Sequence, residues 1–404
     1  RFQPRSRKLS RKNQMASLDY RRKKKIMVYA ACMLLLVALF AFSGCNASDN
    51  VVNLENGVSE PTHFMAKFLM ALNNKIGNIG WTVVVFTVIL KLILSPFDFW
   101  QKHIARKNAK IMERMKPRLE DLKAKFGDDK ARYNQEQMAL YKREKYSTFG
   151  ACLPTVITLV VFIVVFGGFN QMVAYQNGMV YSNAQTTFNT SYESKYNELY
   201  DSYFAELPEN TTDARAEIAG TAHYNAIEYA QTQVAENYEM PSFLWVHNIF
   251  VQDTWKSAVP DYATFSGQSG MAQAKIEGVA ISEYETVMAK VLGTGGYGKN
   301  GSWNGLLILP ILSLALNFFS QKLLMKSQGG APPANDAAGA AASNKVMQYM
   351  MPVIMGIFSL MYSSAFTLYI FVGAVYTIVF QLAYNLFASI WDKRTVVPVQ
   401  RRSK

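Results

Sequence analysis

Cysteine is nearly absent, with only Cys32, Cys45 and Cys152 in 404 residues. Cys32 and Cys152 lie inside apolar runs and have no obvious partner, so neither a disulfide framework nor a cysteine-based zinc site is supported. Histidine is equally sparse, and His223 and His247 have no companion residues at metal-ligand spacing; they read as surface side chains. No glycine-rich phosphate loop ending in Lys-Ser or Lys-Thr occurs, so an ATP-driven motor is unsupported. The apolar segments contain no paired carboxylates, no activated nucleophile and no metal cluster, so the chain does not read as an enzyme, and no cofactor is expected. The predicted spans also lack the Asp or Glu that a proton- or cation-coupled transporter places there.

What is present is apolar sequence gathered into runs. A membrane-crossing helix needs about 20 largely apolar residues. Runs 26–44, 79–97, 153–175, 303–325, 346–362 and 366–390 reach or approach that length. The last two are separated only by Ser363, Ser364 and Ala365, enough for a tight helical hairpin. The net charge of +13 follows the same division. Of 42 Lys and Arg, 11 lie in 1–25, 14 in 100–149, three around the 326–345 linker and five in 393–404. Six crossings that start in the cytoplasm put all of these on one side and leave eight on the other, as the positive-inside rule requires. Basicity here is topological, and sequence-specific nucleic-acid binding is not expected.

The first run follows Arg21-Arg22-Lys23-Lys24-Lys25 and ends Phe42-Ser43-Gly44-Cys45. Two readings stay open. One is a lipoprotein signal that is cleaved so that Cys45 becomes a lipid-modified terminus and 1–44 is lost; the other is an uncleaved signal anchor.

The second run carries Lys91, the only charge inside any run apart from Asp98 and Lys322 at the edges. A lysine at mid-span costs about 2.5–3.5 kcal/mol to insert. It either snorkels past Phe97 to the interface or faces a hydrated groove. Thr87, Lys91 and Ser95 recur every four residues and so share one helix face, which favours the groove. Residues 100–149 are charged yet patterned. Ile104, Ile111, Met115, Leu119, Leu122 and Phe126 mark one amphipathic helix, Gly127-Asp128-Asp129 a turn, and Tyr133 to Tyr141 a second helix. The result is a cytoplasmic helical hairpin that suits anionic lipid or a docking partner.

With these pieces in order, the chain resembles the YidC/Oxa/Alb family of membrane protein insertases. The resemblance rests on "GWTVVVFTVILKLILSPFDFWQ", "QMALYKREKYSTFGACLP", "FLWVHNIFVQD", "LLILPILSLALNFFSQKL" and "MQYMMPVIMGIFSLMYSSAFTLYIFVGAVYTIVFQ". It implies an all-α integral membrane protein with a five-helix insertase core and an N-terminal signal or anchor helix (1–44). A short outer segment (45–78) precedes the first core span (79–99), the cytoplasmic hairpin (100–149) and a second span (150–175). An enlarged extracytoplasmic helical loop (176–302), a third span (303–325), a flexible linker (326–345), a two-span hairpin (346–391) and a basic tail (392–404) complete it.

The resemblance further implies a groove open to cytoplasm and lipid and closed outward, which holds nascent membrane proteins briefly and acts either independently of the SecYEG translocon or beside it. Implied partners are nascent substrates, the ribosome, membrane lipids, the SecYEG translocon and the signal recognition particle receptor. The groove's basic residue, usually Arg, maps to Lys91 and its threonine to Thr87. The position after "CLP" that is usually glutamine is Thr158, and Tyr369 stands beside Ile370 where two aromatics are usual. The loop 176–302 exceeds what the family needs and is expected to form a helical cap. Two other readings remain: a solute transporter with Lys91 as its anion site, and a lipid-anchored scaffold or receptor acting through the outer loop.

Overall fold

The computed structural model describes residues 51–146, 148–205, 212–267, 275–293, 303–327 and 352–395. Cys45, the N-terminal run, the linker from 328 on and the basic tail from 396 on lie outside them. The described chain is almost entirely helical. Strand β1 (Val51–Asn53) is followed by α1 (Phe64–Ile76), α2 (Ile79–Phe126), α3 (Lys130–Arg143), α4 (Thr148–Ala205) and α5 (Thr212–Asn237). Then come α6 (Tyr262–Phe265), β2 (Lys275–Glu277), α7 (Ile281–Leu292), α8 (Ile308–Ser327), α9 (Pro352–Met361) and α10 (Ser364–Thr395). Among the described residues, Ile79–Phe126 and Ser364–Ile390 contain stretches long and apolar enough to cross a membrane, and Ile308–Leu324 and Pro352–Met361 are shorter apolar helices.

Two helices run through boundaries that composition places at span ends. Helix α2 has 48 residues, about 72 Å at 1.5 Å per residue, and joins the first core run to the basic hairpin without a break. It begins at Asn78, whose side chain accepts from the Trp81 N–H at 3.1 Å. Pro96 lies inside it, where it cannot donate to the carbonyl four residues back. The Ser95 hydroxyl takes over, donating to the Leu92 carbonyl at 2.8 Å. Helix α4 has 58 residues and carries the third run straight on into the 176–302 segment.

These residues build three cores. In the central one, α1, α2, α4, α8, α10 and the 243–250 segment bury Leu69, Phe86, Phe169, Ile249, Leu309 and Phe366. Edge-to-face aromatic contacts run through it, Phe86 to Phe169 at 5.8 Å and Phe166 to Tyr362 at 4.6 Å. Gly168 lets α1 approach α4 closely, since a Cβ there would lie 2.5 Å from the Met65 Cβ.

The second core forms beyond the bundle, where α5 folds back along the outer half of α4 and α7 packs across both. It buries Tyr181, Phe188, Val234, Phe265, Tyr284 and Met288. It also holds the only two strands described, a parallel pair with Val52 opposite Ile276. The helical cap expected over 176–302 thus recruits β1 from upstream and shares α4 with the bundle. His223 and His247 both have contacts there, with Tyr192 Oη at 2.7 Å and the Trp303 carbonyl at 2.8 Å. The third core is the hairpin's own, with Ile111, Met115 and Leu119 of α2 against Leu140 and Tyr141 of α3. The turn is capped by Asp129, which accepts from the Arg132 N–H at 3.0 Å. Gly127 stays right-handed at φ −58°, so the turn there does not use the left-handed freedom of glycine.

Candidate functional site

The site is clearest along α2, where packing changes abruptly. Its buried residues are Ile79, Gly80, Thr82, Val83, Phe86 and Thr87, and then none until Asn108. Over the intervening 20 positions the helix loses close cover. Leu92 and Ile93 are exposed at 56% and 69%, and such apolar exposure on a spanning helix suits lipid rather than water.

Lys91 lies four residues into this gap. It is half-buried, and its Cε would lie 3.4 Å from a Cβ placed on Gly373 of α10. The missing side chain at 373 is what leaves room for the lysine stem between the two helices.

The other expected site residues divide around that point. Thr87, one turn earlier, is fully buried, and its hydroxyl donates to the Val83 carbonyl at 2.6 Å. Tyr369, one turn before Gly373 on α10, is buried against Phe169 and Phe366 at 5.5 and 5.8 Å between ring centres. Both belong to the packed wall above Lys91. Ser95 is half-buried and engaged at the Pro96 break. Thr158 lies in α4, and its side chain is outside the described residues. Lys91 and Gly373 are therefore brought together, with Thr87 and Tyr369 one turn above them.

Composition missed the continuation of the polar face. Asp98 and Lys102 follow Lys91 at seven and eleven residues, which keeps them on the same side of α2. Asp98 stands between Lys91 and Lys102 along that face. The amine that had no carboxylate opposite it in any predicted span thus has a counter-charge on its own helix. Lys102 donates to Gln381 of α10, and Gln381 donates to Asn385 Oδ1 at 2.9 Å. The heptad relation of Asp98 to Lys91 was readable in the sequence. The partnership of Lys102 with Gln381, 279 positions away, was not.

The opposite end is closed by a buried polar hub. Asp253 is fully buried and accepts from the Leu307 and Leu309 N–H groups at 2.7 and 2.8 Å, capping the start of α8. Gly305, at φ +129°, passes so near that a Cβ would meet the Asp253 carboxylate at 2.7 Å. Burial raises the Asp253 pKa, and the two N–H donors oppose that rise. Asn304 is buried and donates to the Asn248 and Gln252 carbonyls at 2.8 and 2.9 Å. The tip of the α9–α10 hairpin docks on the same segment, with Ser364 N–H donating to Val251 O at 2.9 Å and Ala365 N–H to Ile249 O at 2.8 Å. The donors and acceptors named here are satisfied within the protein, which ties the 248–253 segment to the start of α8 and to the tip of the α9–α10 hairpin.

At the hairpin end a cleft of about 1080 Å³ opens between α2, the end of α3 and the foot of α10. Phe99 closes its upper edge against Tyr384 and Phe387, at 5.4 and 5.8 Å between ring centres.

Among known families, the one described as 60Kd inner membrane protein matches residues 71–389. A segment of the chain is 40% identical over 98 residues to the membrane protein insertase YidC of Dechloromonas aromatica, covering 24% of this chain and 17% of that protein. It is 41% identical over 98 residues to the YidC of Bordetella pertussis, covering 24% and 16%. To the YidC of Caldanaerobacter subterraneus it is 34% identical over 98 residues, covering 24% and 46%. The aligned segment therefore spans from about a sixth to just under half of these relatives' length.

Proposed function

Because the chain belongs to the 60Kd inner membrane protein family, matched over residues 71–389, we propose that it is a membrane protein insertase whose groove is the uncovered stretch of α2 around Lys91. The single observation that carries this reading is the break in packing at Thr87. Above it the bundle is closed by apolar side chains and satisfied hydroxyls; below it a cation stands where α2 has lost close cover. A groove of that shape admits polypeptide from the hairpin side and from lipid, and not from the capped side. The abundance of Lys and Arg in the hairpin, the linker and the tail supports the hairpin side as cytoplasmic.

In this mechanism an incoming extracellular tail enters between α2 and α10, and its acidic residues are attracted to Lys91. Asp98 tempers that attraction, so capture is brief. Lys102, held by Gln381, keeps the mouth positive without needing a substrate. The substrate's own apolar segment then moves sideways past Leu92 and Ile93 into lipid, driven by about 0.8 kcal/mol for each methylene buried. No nucleotide or ion gradient is required. The basic hairpin and tail supply surfaces for the ribosome, the signal recognition particle receptor and the SecYEG translocon.

The test is complementation of an insertase-depleted strain, with insertion scored on substrates that have acidic or neutral tails. Lys91→Ala is expected to lower insertion of acidic-tailed substrates by about tenfold, a loss of roughly 1.4 kcal/mol, and to spare neutral ones; Lys91→Arg is expected to retain activity. Equal activity of Lys91→Ala on both classes would end the charge-capture reading. A second reading, a lipid-anchored scaffold or receptor, draws support from the outer unit's separate core. Under that reading, shortening the α4–α5 hairpin abolishes function and Lys91 is dispensable.

A further inference from the structure

The cleft at the foot of the bundle has two unlike walls. One is basic: Arg106, Lys107, Lys110 and Arg114 on α2, with Lys145 reaching in from beyond α3. The lining holds five Lys and Arg against two acids, Glu113 and Glu144, so its net charge is positive. The other wall is aromatic, made by Phe99, Tyr384 and Phe387. From Phe387 an exposed apolar stripe climbs α10 through Leu386, Leu382 and Val379. Cleft and stripe together form one amphipathic path, with cations at the bottom and a hydrocarbon track above.

The cations of α2 stand just beyond the headgroup zone and reach back toward it. Arg106 and Lys107 lie nine and ten residues past Phe97, where the apolar run ends. That is about 14 Å along the helix axis, and the polar zone of a bilayer extends on the order of 5–8 Å beyond the hydrocarbon on each side. Side chains on a helix lean toward its N-terminus, here toward the apolar run, so the long stems of Arg106 and Lys107 carry their charges back toward that zone.

Lys145 stands at the end of α3. It follows the C-cap of α3 with φ +58°, a left-handed conformation that glycine adopts freely and lysine does not. Tyr146 N–H closes the turn on the Tyr141 carbonyl at 2.9 Å. The left-handed turn sets Lys145 at the rim of the cleft, where its charge adds to the basic wall.

We propose that this cleft binds the headgroup of an anionic phospholipid, with the phosphate among Arg106, Lys107, Lys110 and Lys145 and an acyl chain lying along the α10 stripe. The bound lipid would pin the hairpin against the foot of α10, at the mouth below Lys91. An acidic peptide matches the basic wall but has no use for the exposed stripe above it, so lipid is the better fit. The proposal does not rest on the insertion reading, because a chain inactive in insertion can still hold lipid.

The test uses the full chain purified in detergent and native mass spectrometry with phosphatidylglycerol or phosphatidylcholine of identical acyl chains. Phosphatidylglycerol is expected to stay bound at concentrations where phosphatidylcholine is lost. Each basic group removed should weaken it about fivefold. The combined Arg106→Gln, Lys107→Gln and Lys110→Gln variant therefore falls by about 100-fold, while Lys91→Ala is unchanged. Lys145→Gly guards against misfolding as an explanation, since glycine suits that backbone. It should weaken lipid binding about fivefold with an equal or higher melting temperature. The proposal is overturned if the two lipids bind alike or if these variants retain phosphatidylglycerol. It is equally overturned if inorganic phosphate alone displaces the lipid, which would make this a free-anion site, or if an acidic peptide binds more tightly and replaces it.

Discussion

The two halves of helix α2 have opposite surroundings although they are one continuous element. From Ile79 to Thr87 it is packed on several sides, and its polar groups bond within the protein: Thr82 to the Asn78 carbonyl at 2.8 Å, Thr87 to the Val83 carbonyl at 2.6 Å. From Val88 to Lys107 no residue is buried, and most of the polar groups are charged. The closed half uses neutral hydrogen bonds and a carboxylate held by backbone N–H groups at its cap. The open half carries Lys91, Asp98 and Lys102 along one face. A buried network tolerates no unpaired member, so it suits a permanent seal; charges outside such a network can exchange partners, as the proposed groove requires.

That contrast can be broken most forcefully at Asp253. Replacing it with Ala leaves the Leu307 and Leu309 N–H groups without acceptors at the start of α8. The expected cost is about 3–5 kcal/mol, read as a lower midpoint in denaturant titration of the detergent-solubilised protein. If the midpoint is unchanged, the cap end is not held by this hub. A smaller effect is expected at Asp98. Asp98→Asn removes the counter-charge of Lys91 and should raise crosslinking between the groove and an acidic-tailed nascent chain by about two- to fivefold. A decrease would mean that Asp98 positions Lys91 rather than competing with substrate. Ser95 sharpens the comparison by the least. Ser95→Ala exposes the Leu92 carbonyl at the Pro96 break and should cost about 0.5–1 kcal/mol. Insertion of acidic-tailed substrates should persist in that variant, because the hydroxyl is engaged with its own helix.

Much of the open half could be read without coordinates. Lys91 announces itself because a cation in an apolar run is costly, and the four-residue spacing of Thr87, Lys91 and Ser95 places them on one face. Spacing could not tell that Thr87 is in the wall or that Ser95 mends a proline break, since a hydroxyl reads alike whether it faces a groove or its own backbone. Nor could it see Gly373, whose importance is the absence of a side chain opposite Lys91. The closed half was harder. Asp253 looks like one more acid in an acidic loop until Leu307 and Leu309 are brought to it.

Local sequence by itself determined the helical class, the apolar runs and the segregation of positive charge, because each depends on composition and on a periodicity of a few residues. The tertiary structure alone decided where α2 stops being covered, that α4 carries the bundle into the outer unit, and that Lys102 meets Gln381. Those facts depend on contacts between positions far apart in the chain, and the free energy of such contacts belongs to the pair and not to either residue.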